Sequence, residues 1–238
     1  MKKLSIILIC AAALAMVSCG GNSSKKSGGK SAETKTTVAA SDAVDLGLSV
    51  KWAKTNLGAK DASEPGNYYA WGETESKKDF SGETYAFKDG YKFKKYTVED
   101  GEASAGTADK LIVLESGDDA AAALGKGWRM PTRAEAMELF TQCKFSYDKP
   151  GVITVTGPNG NSIDFPKATG YYYGTKLQEE RYTWLWTASM ALQVGTPEGS
   201  EDALEWHDRK RADAMRFGHT DCYPVYRENG LPIRPVKD

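Results

Sequence analysis

The chain is predicted to fold as an α+β domain with one or two helices and several short antiparallel strands, on three observations. One segment carries a complete helix signature, Thr132-Arg133-Ala134-Glu135 followed by an apolar stripe at helical spacing. The segments after it are short, rich in β-branched and aromatic residues, and separated by Gly, Pro and Asn. Residues 43–238 are aromatic-rich throughout, which suits one domain with a sizeable core better than two small ones. Strands that follow helices in a block, instead of alternating with them, point to α+β.

The N-terminus reads as an address. Lys2-Lys3 precedes an apolar run from Leu4 to Val17, shorter than the ~20 residues needed to span a bilayer, so residues 1–18 are expected to be a cleavable export signal. Met16-Val17-Ser18-Cys19 before Gly20-Gly21 resembles a bacterial lipoprotein signal, with Met where Leu is usual. Cleavage before Cys19 leaves its thiol to carry the lipid (palmitate) and makes the membrane a partner through that residue. Gly20 lacks the acidic character of an inner-membrane retention signal, which favours the outer membrane; the first acid is Glu33, and the leaflet and face stay open. Residues 19–42 are expected to be a flexible tether, because Gly20 to Asp42 has Val38 as its only large aliphatic residue. As a flexible coil it would span about 25 Å. Losing Lys2 and Lys3 with the signal takes the net charge from -1 to -3, which argues against nucleic acid as a partner. No later segment is predicted to cross a membrane.

Within residues 43–238, Val44 to Ala53 alternates, with Leu46, Leu48, Val50 and Trp52 on one side, and is predicted to be an opening strand. Asn56 to Tyr69 is turn-rich and leads into the aromatic cluster Tyr68-Tyr69-Ala70-Trp71. Residues 74–107 interleave aromatic residues with lysines, but nearby acids balance them, so a packed irregular insertion is expected. Pro131 and the capping box at Thr132 start the helix, and Ala136, Leu139, Phe140 and Cys143 form its buried stripe. Val152 to Thr156 and Ser162 to Phe165 flank Asn159-Gly160, which would supply the positive φ angles of a tight hairpin. Three or four further strands are predicted, among 182–187, 203–208, 214–217 and 231–236.

Several short motifs occur together and in order: Val44-Asp45-Leu46-Gly47-Leu48-Ser49-Val50-Lys51-Trp52-Ala53, Asn56-Leu57-Gly58-Ala59, Tyr68-Tyr69-Ala70-Trp71-Gly72-Glu73, Gly127-Trp128-Arg129-Met130-Pro131-Thr132, Leu185-Trp186-Thr187-Ala188-Ser189 and Ile233-Arg234-Pro235-Val236. This series resembles the Fibrobacter succinogenes major paralogous domain family of bacterial envelope lipoproteins, across nearly all of residues 44–236. The resemblance implies a C-type-lectin-like fold whose C-terminal strands and loops present a variable, non-catalytic binding surface. Residues 195–226 follow no shared pattern, so ligand identity is expected there.

Between Trp206 and Tyr226, cations and aromatics mix in the composition expected of a recognition surface, against the alternative of an ordinary exposed loop face. Trp206, Arg209, Arg211, His219, Tyr223 and Tyr226 are the candidate ligand contacts, and the ligand is a protein or a glycan. The rival role is an architectural subunit of an adhesin or envelope assembly. Tyr182, Trp184 and Trp186 share one strand face, read first as core. The two remaining cysteines, Cys143 and Cys222, either form a disulfide suited to an exported protein or stay as buried inert thiols.

An enzyme reading has one basis. The Trp-Arg-Met-Pro-Thr and helix arrangement is also similar to formylglycine-generating enzymes, whose reaction needs a pair of active-site thiols. Only Cys143 and Cys222 are available here, and Cys143 lies on the helix stripe, so no catalytic residue and no cofactor is expected. His207, Asp208, His219, Asp221 and Cys222 are metal-ligand types without a metal-site spacing, so no metal is expected either. Asp118-Asp119 and Glu179-Glu180 read as helix-start or surface charges.

Overall fold

The computed structural model describes residues 43–195 and 204–238, with side chains described for all of these except 193–195 and 204–206. The expected signal, Cys19 and the tether lie outside the described residues. So does the side chain of Trp206, whose backbone is in a strand. All described residues belong to one compact unit.

The architecture is mixed α+β. The predicted opening strand is divided into β1 (Ala43–Val44) and β2 (Lys51–Ala53), which pair antiparallel with Val44 opposite Trp52. The division is local chemistry: the Asp45 carboxylate accepts from Gly47 N–H at 2.7 Å, and Gly47 takes φ +77°, so the chain turns where alternation alone predicted extension. Leu46, Val50 and Trp52 are nevertheless all buried, as their spacing implied. The 74–107 region is irregular, with one minimal ribbon, β3 (Lys88–Asp89) and β4 (Lys92–Phe93). β5 (Trp128–Arg129) follows three 3-10 turns.

The helix α1 (Arg133–Gln142) starts where the capping box placed it. Glu135 N–H donates to Thr132 Oγ1 at 3.3 Å, and Thr132 N–H donates to Glu135 Oε2 at 2.7 Å. Arg129 forks onto the same carboxylate at 2.8 and 2.6 Å, joining β5 to the helix start. Ala136, Leu139 and Phe140 are buried and Cys143 ends the helix.

β6 (Lys144–Ser146), β7 (Val152–Thr156) and β8 (Ser162–Pro166) form an antiparallel meander. In the β7–β8 turn only Gly160 has positive φ, so Asn159 does not adopt the predicted left-handed geometry; its side chain holds the Asp45 carbonyl instead, at 2.9 Å. β9 (Tyr171–Tyr173) and β10 (Lys176–Gln178) make a short ribbon. The principal sheet is β11 (Thr183–Gly195), β12 (Leu204–Phe217) and β13 (Asp221–Tyr226), in that order, with β13 at the edge. The strands predicted at 203–208 and 214–217 are one strand. A bulge pairs Met190 with Ala212 and Ala191 with Asp208, leaving Arg209 to Arg211 without partners on β11, and this break in alternation made one strand look like two. The predicted 231–236 strand is not regular. Pro232 and Pro235 interrupt the donors, so only β14 (Val236–Lys237) joins a ladder, between β2 and β5.

The principal sheet lies between two cores. Trp184, Trp186, Ala212, Ala214 and Val225 face one, with Trp71, Met130 and Ile233. Leu185, Met215 and Phe217 face the other, against Leu139 and Phe140 of α1 and Phe165 of β8. Period-two alternation is what lets one strand supply both.

Candidate functional site

At one end of the principal sheet the first core opens to solvent as a groove of about 660 Å³. The wall is aromatic. Trp184, 5% exposed, is met edge-on by Tyr171, Tyr182 and Tyr223, with ring centroids at 6.0, 6.3 and 5.8 Å. Tyr223 and Tyr226, on the edge strand, are 44% and 41% exposed and form the rim.

The sheet register explains the arrangement. Trp184 pairs with Arg216, and Arg216 pairs with Asp221, so three strands bring an indole, a guanidinium and a carboxylate into one row. Arg216 lies 4.3 Å over the Tyr223 ring and 5.8 Å from the Trp184 ring. Its Nε and Nη2 donate to the two Asp221 oxygens at 2.9 and 2.5 Å. The Asp221 carboxylate holds the Arg216 pKa above its ordinary value, against the opposing effect of burial. Five pairs farther along the β12–β13 ladder, Arg211 stacks 4.6 Å over Tyr226, donates to its hydroxyl at 3.1 Å, and donates to Asp208 at 2.8 Å. Burial works against the Arg211 charge, but Tyr226 and Asp208 outweigh it and its pKa is raised.

Trp184 Nε1 donates to Glu180 at 2.9 Å, which aims a carboxylate into the groove from the turn before β11. Burial, then Glu180, raises the Tyr171 pKa. Asn229 also lines the groove; it is 4% exposed and its buried Oδ1 has no hydrogen-bond partner. The polar groups are thus fixed in place before any ligand arrives, and the aromatic faces between them are apolar. Such a surface can bind and orient a ligand.

Of the six predicted contacts, Arg211, Tyr223 and Tyr226 line this groove. His219 stands beside it, with Nε2 3.0 Å from the Tyr182 hydroxyl and the rings 5.0 Å apart. Arg209 does not join it. It sits in the β12 bulge and reaches Glu102, 3.6 Å away. Trp206 is outside the described side chains. The contact region is mostly a strand pair: Arg211 and Arg216 are half-buried on β12, Tyr223 and Tyr226 are exposed on β13, and His219 is in the turn between them. Tyr171, Glu180, Tyr182 and Trp184 complete the site and were not singled out as ligand contacts. Trp184 was read as core, and it serves both roles, one edge in the core and one in the groove. Only the shared face of Tyr182 and Trp184 hinted at this.

The two cysteines are free. Both pack against the second core, so they approach the same cluster without forming a bridge in this structure. Burial raises Cys143 to about 11, with Glu138 adding to it, and raises Cys222 to about 12, with Asp213 adding to it. An attacking or metal-binding thiol needs the opposite shift. Among the described residues, no three His, Cys, Asp or Glu side chains gather as a metal ion would require. Asp221 is engaged with Arg216 and Asp208 with Arg211.

A second, smaller groove of about 370 Å³ lies on the other side of the β9–β10 ribbon, lined by Tyr68, Phe80, Tyr172 and Lys77 among others. Tyr68 and Tyr172 meet edge-on at 4.9 Å, and burial raises Tyr68 to about 12, with Tyr172 adding to it. Comparison of the chain with family models, with curated proteins and with solved structures gives no match.

Proposed function

We propose that this chain is a lipid-anchored bacterial envelope protein whose domain binds a ligand in the Trp184 groove without transforming it. The observation that carries the reading is pre-organisation: Asp221 fixes Arg216, Asp208 fixes Arg211, and Trp184 fixes Glu180. Groups already ordered lose little entropy on binding. The order of the motifs from Val44 to Val236 supports membership of the Fibrobacter succinogenes major paralogous domain family, and with it a C-type-lectin-like form of the mixed α+β architecture. Lys2-Lys3, the apolar run and Cys19 support export and lipid attachment at the outer membrane. The raised thiol pKa values of Cys143 and Cys222 argue against the paired-thiol chemistry of the enzyme alternative.

The rival reading, an assembly subunit completed by another chain's strand, has less support. The edge strand beside the groove is β13, and Pro224 in its centre removes a backbone donor from any ladder added there. The full chain is to be tested against glycan and envelope-protein arrays beside a Tyr223→Ala/Tyr226→Ala variant. Both residues are exposed, so the variant is expected to fold and to lose the ligand by about tenfold or more. Equal binding by both proteins would contradict the proposal.

A further inference from the structure

We infer that the ligand is a neutral polysaccharide, held as a chain that runs from the Trp184 groove over the β9–β10 ribbon into the second groove; the inference rests on the binding reading above. Three observations select an uncharged occupant. Both guanidiniums of the first groove are already neutralised, Arg216 by Asp221 and Arg211 by Asp208, so neither offers an unpaired charge to an anion. The Glu180 carboxylate, held by an indole and not by a cation, adds negative charge to the lining and disfavours an anionic ligand, partly offset by Arg181, which stacks 5.0 Å over Tyr182 beside it. In the second groove, Lys77 is paired with Glu73 at 2.8 Å and donates to the Thr84 carbonyl at 3.0 Å; Lys78, also in the lining, is exposed to solvent, so the selection against an anion comes from Lys77 and from the first groove.

The remaining chemistry matches a sugar. Aromatic faces can cover the apolar C–H face of a pyranose ring, and fixed donors and acceptors can take its hydroxyls. Glu180 and the unpartnered Oδ1 of Asn229 are acceptors; Arg216 Nη1, outside its fork on Asp221, is a donor. An extended peptide fits less well, because its backbone would seek a strand edge and Pro224 interrupts that edge.

The ribbon gives the path. In β9 successive side chains point to opposite faces, so Tyr171 lines the first groove and Tyr172 the second. The two walls therefore lie back to back across this ribbon, and a chain that joins them passes around the ribbon. Tyr173 on this ribbon is 65% exposed, with no aromatic contact of its own, and is placed to meet a chain that crosses.

The test is calorimetry on the full chain with disaccharide, tetrasaccharide and hexasaccharide series of neutral gluco-, manno- and xylo-oligosaccharides, with sulfated and uronic hexasaccharides and unstructured peptides as comparators. One neutral series is expected to bind, with the hexasaccharide at least about tenfold tighter than the disaccharide. Tyr173→Ala should abolish that gain and leave disaccharide affinity unchanged. Raising salt from about 50 to about 500 mM should alter affinity by less than about threefold. If no neutral series binds, or if an anionic sugar or peptide binds instead and is lost in Tyr223→Ala, the inference fails while the groove reading stands. A neutral series without gain in length overturns the two-groove path. Binding untouched by Tyr223→Ala and Tyr226→Ala removes the groove itself.

Discussion

Arg234 shows at single-residue scale how the C-terminal segment is fixed. It is fully buried, lies 4.1 Å over the Phe165 ring, and donates to Asn56 Oδ1 at 2.7 Å and to the carbonyls of Ala53, Lys54 and Asp164 at 2.9, 3.1 and 3.0 Å. Burial lowers its pKa, with Asp164 opposing, and the fork satisfies four neutral oxygens from two distant segments. Arg234→Met leaves those oxygens without donors and is expected to cost about 3 kcal/mol or more, seen as a lower urea midpoint at unchanged slope. Arg234→Lys should recover little, because an ammonium cannot span all four acceptors. None of this was legible beforehand. The motif Ile233-Arg234-Pro235-Val236 marked the residue through resemblance, but its partners are at positions 53 to 56 and 164, and only the fold brings them together. The aromatic and cationic character of Arg211, Tyr223 and Tyr226 was legible because it is composition; which carboxylate each arginine meets is register, and register was not.

The elements that sequence located well are those whose signals are local. In α1, the Thr132 cap, its reciprocal Glu135 and the buried stripe all lie within one short stretch, and the structure reproduces each. Burial pushes the Glu135 pKa up, but the Arg129 fork and the Thr132 N–H outweigh it and hold the carboxyl below its ordinary 4.5. A depressed carboxyl contributes stability above its unfolded pKa and loses it as pH falls through the folded value. Glu135→Gln is therefore expected to cost about 1 kcal/mol near neutrality and to flatten the decline of melting temperature on acidification below about pH 4.5. An unchanged acid limb would show that the pair carries no weight. The elements that sequence misplaced are those set by distant pairing. The β12 bulge answers to β11, and the turn at Asp45 to Gly47, though set by the Asp45 carboxylate on Gly47 N–H, is braced by Asn159 from across the molecule. A periodicity window sees neither.

At the scale of the whole chain, the principal sheet serves as a partition, with α1 and the meander packed on one face and the Trp71 and Trp186 core on the other. The α+β class followed from element types alone, whereas the two-core arrangement depended on which faces met. That partition leaves the Tyr182, Arg216 and Tyr223 end of one face uncovered, and there the rigid framework presents its exposed aromatics. Lipid at Cys19 would place this surface at a membrane. Cys19→Ala is expected to move the protein from the membrane fraction to the soluble fraction and to abolish incorporation of labelled palmitate, leaving ligand binding intact. Persistence in the membrane would remove the anchor. Hydrogen exchange of the full chain, with and without its bound ligand, measures the groove most directly. Protection should rise at residues 180–184, 211–216 and 223–226 and remain unchanged along α1 and the β6–β8 meander; protection confined to α1 or the meander would contradict the groove as the binding site.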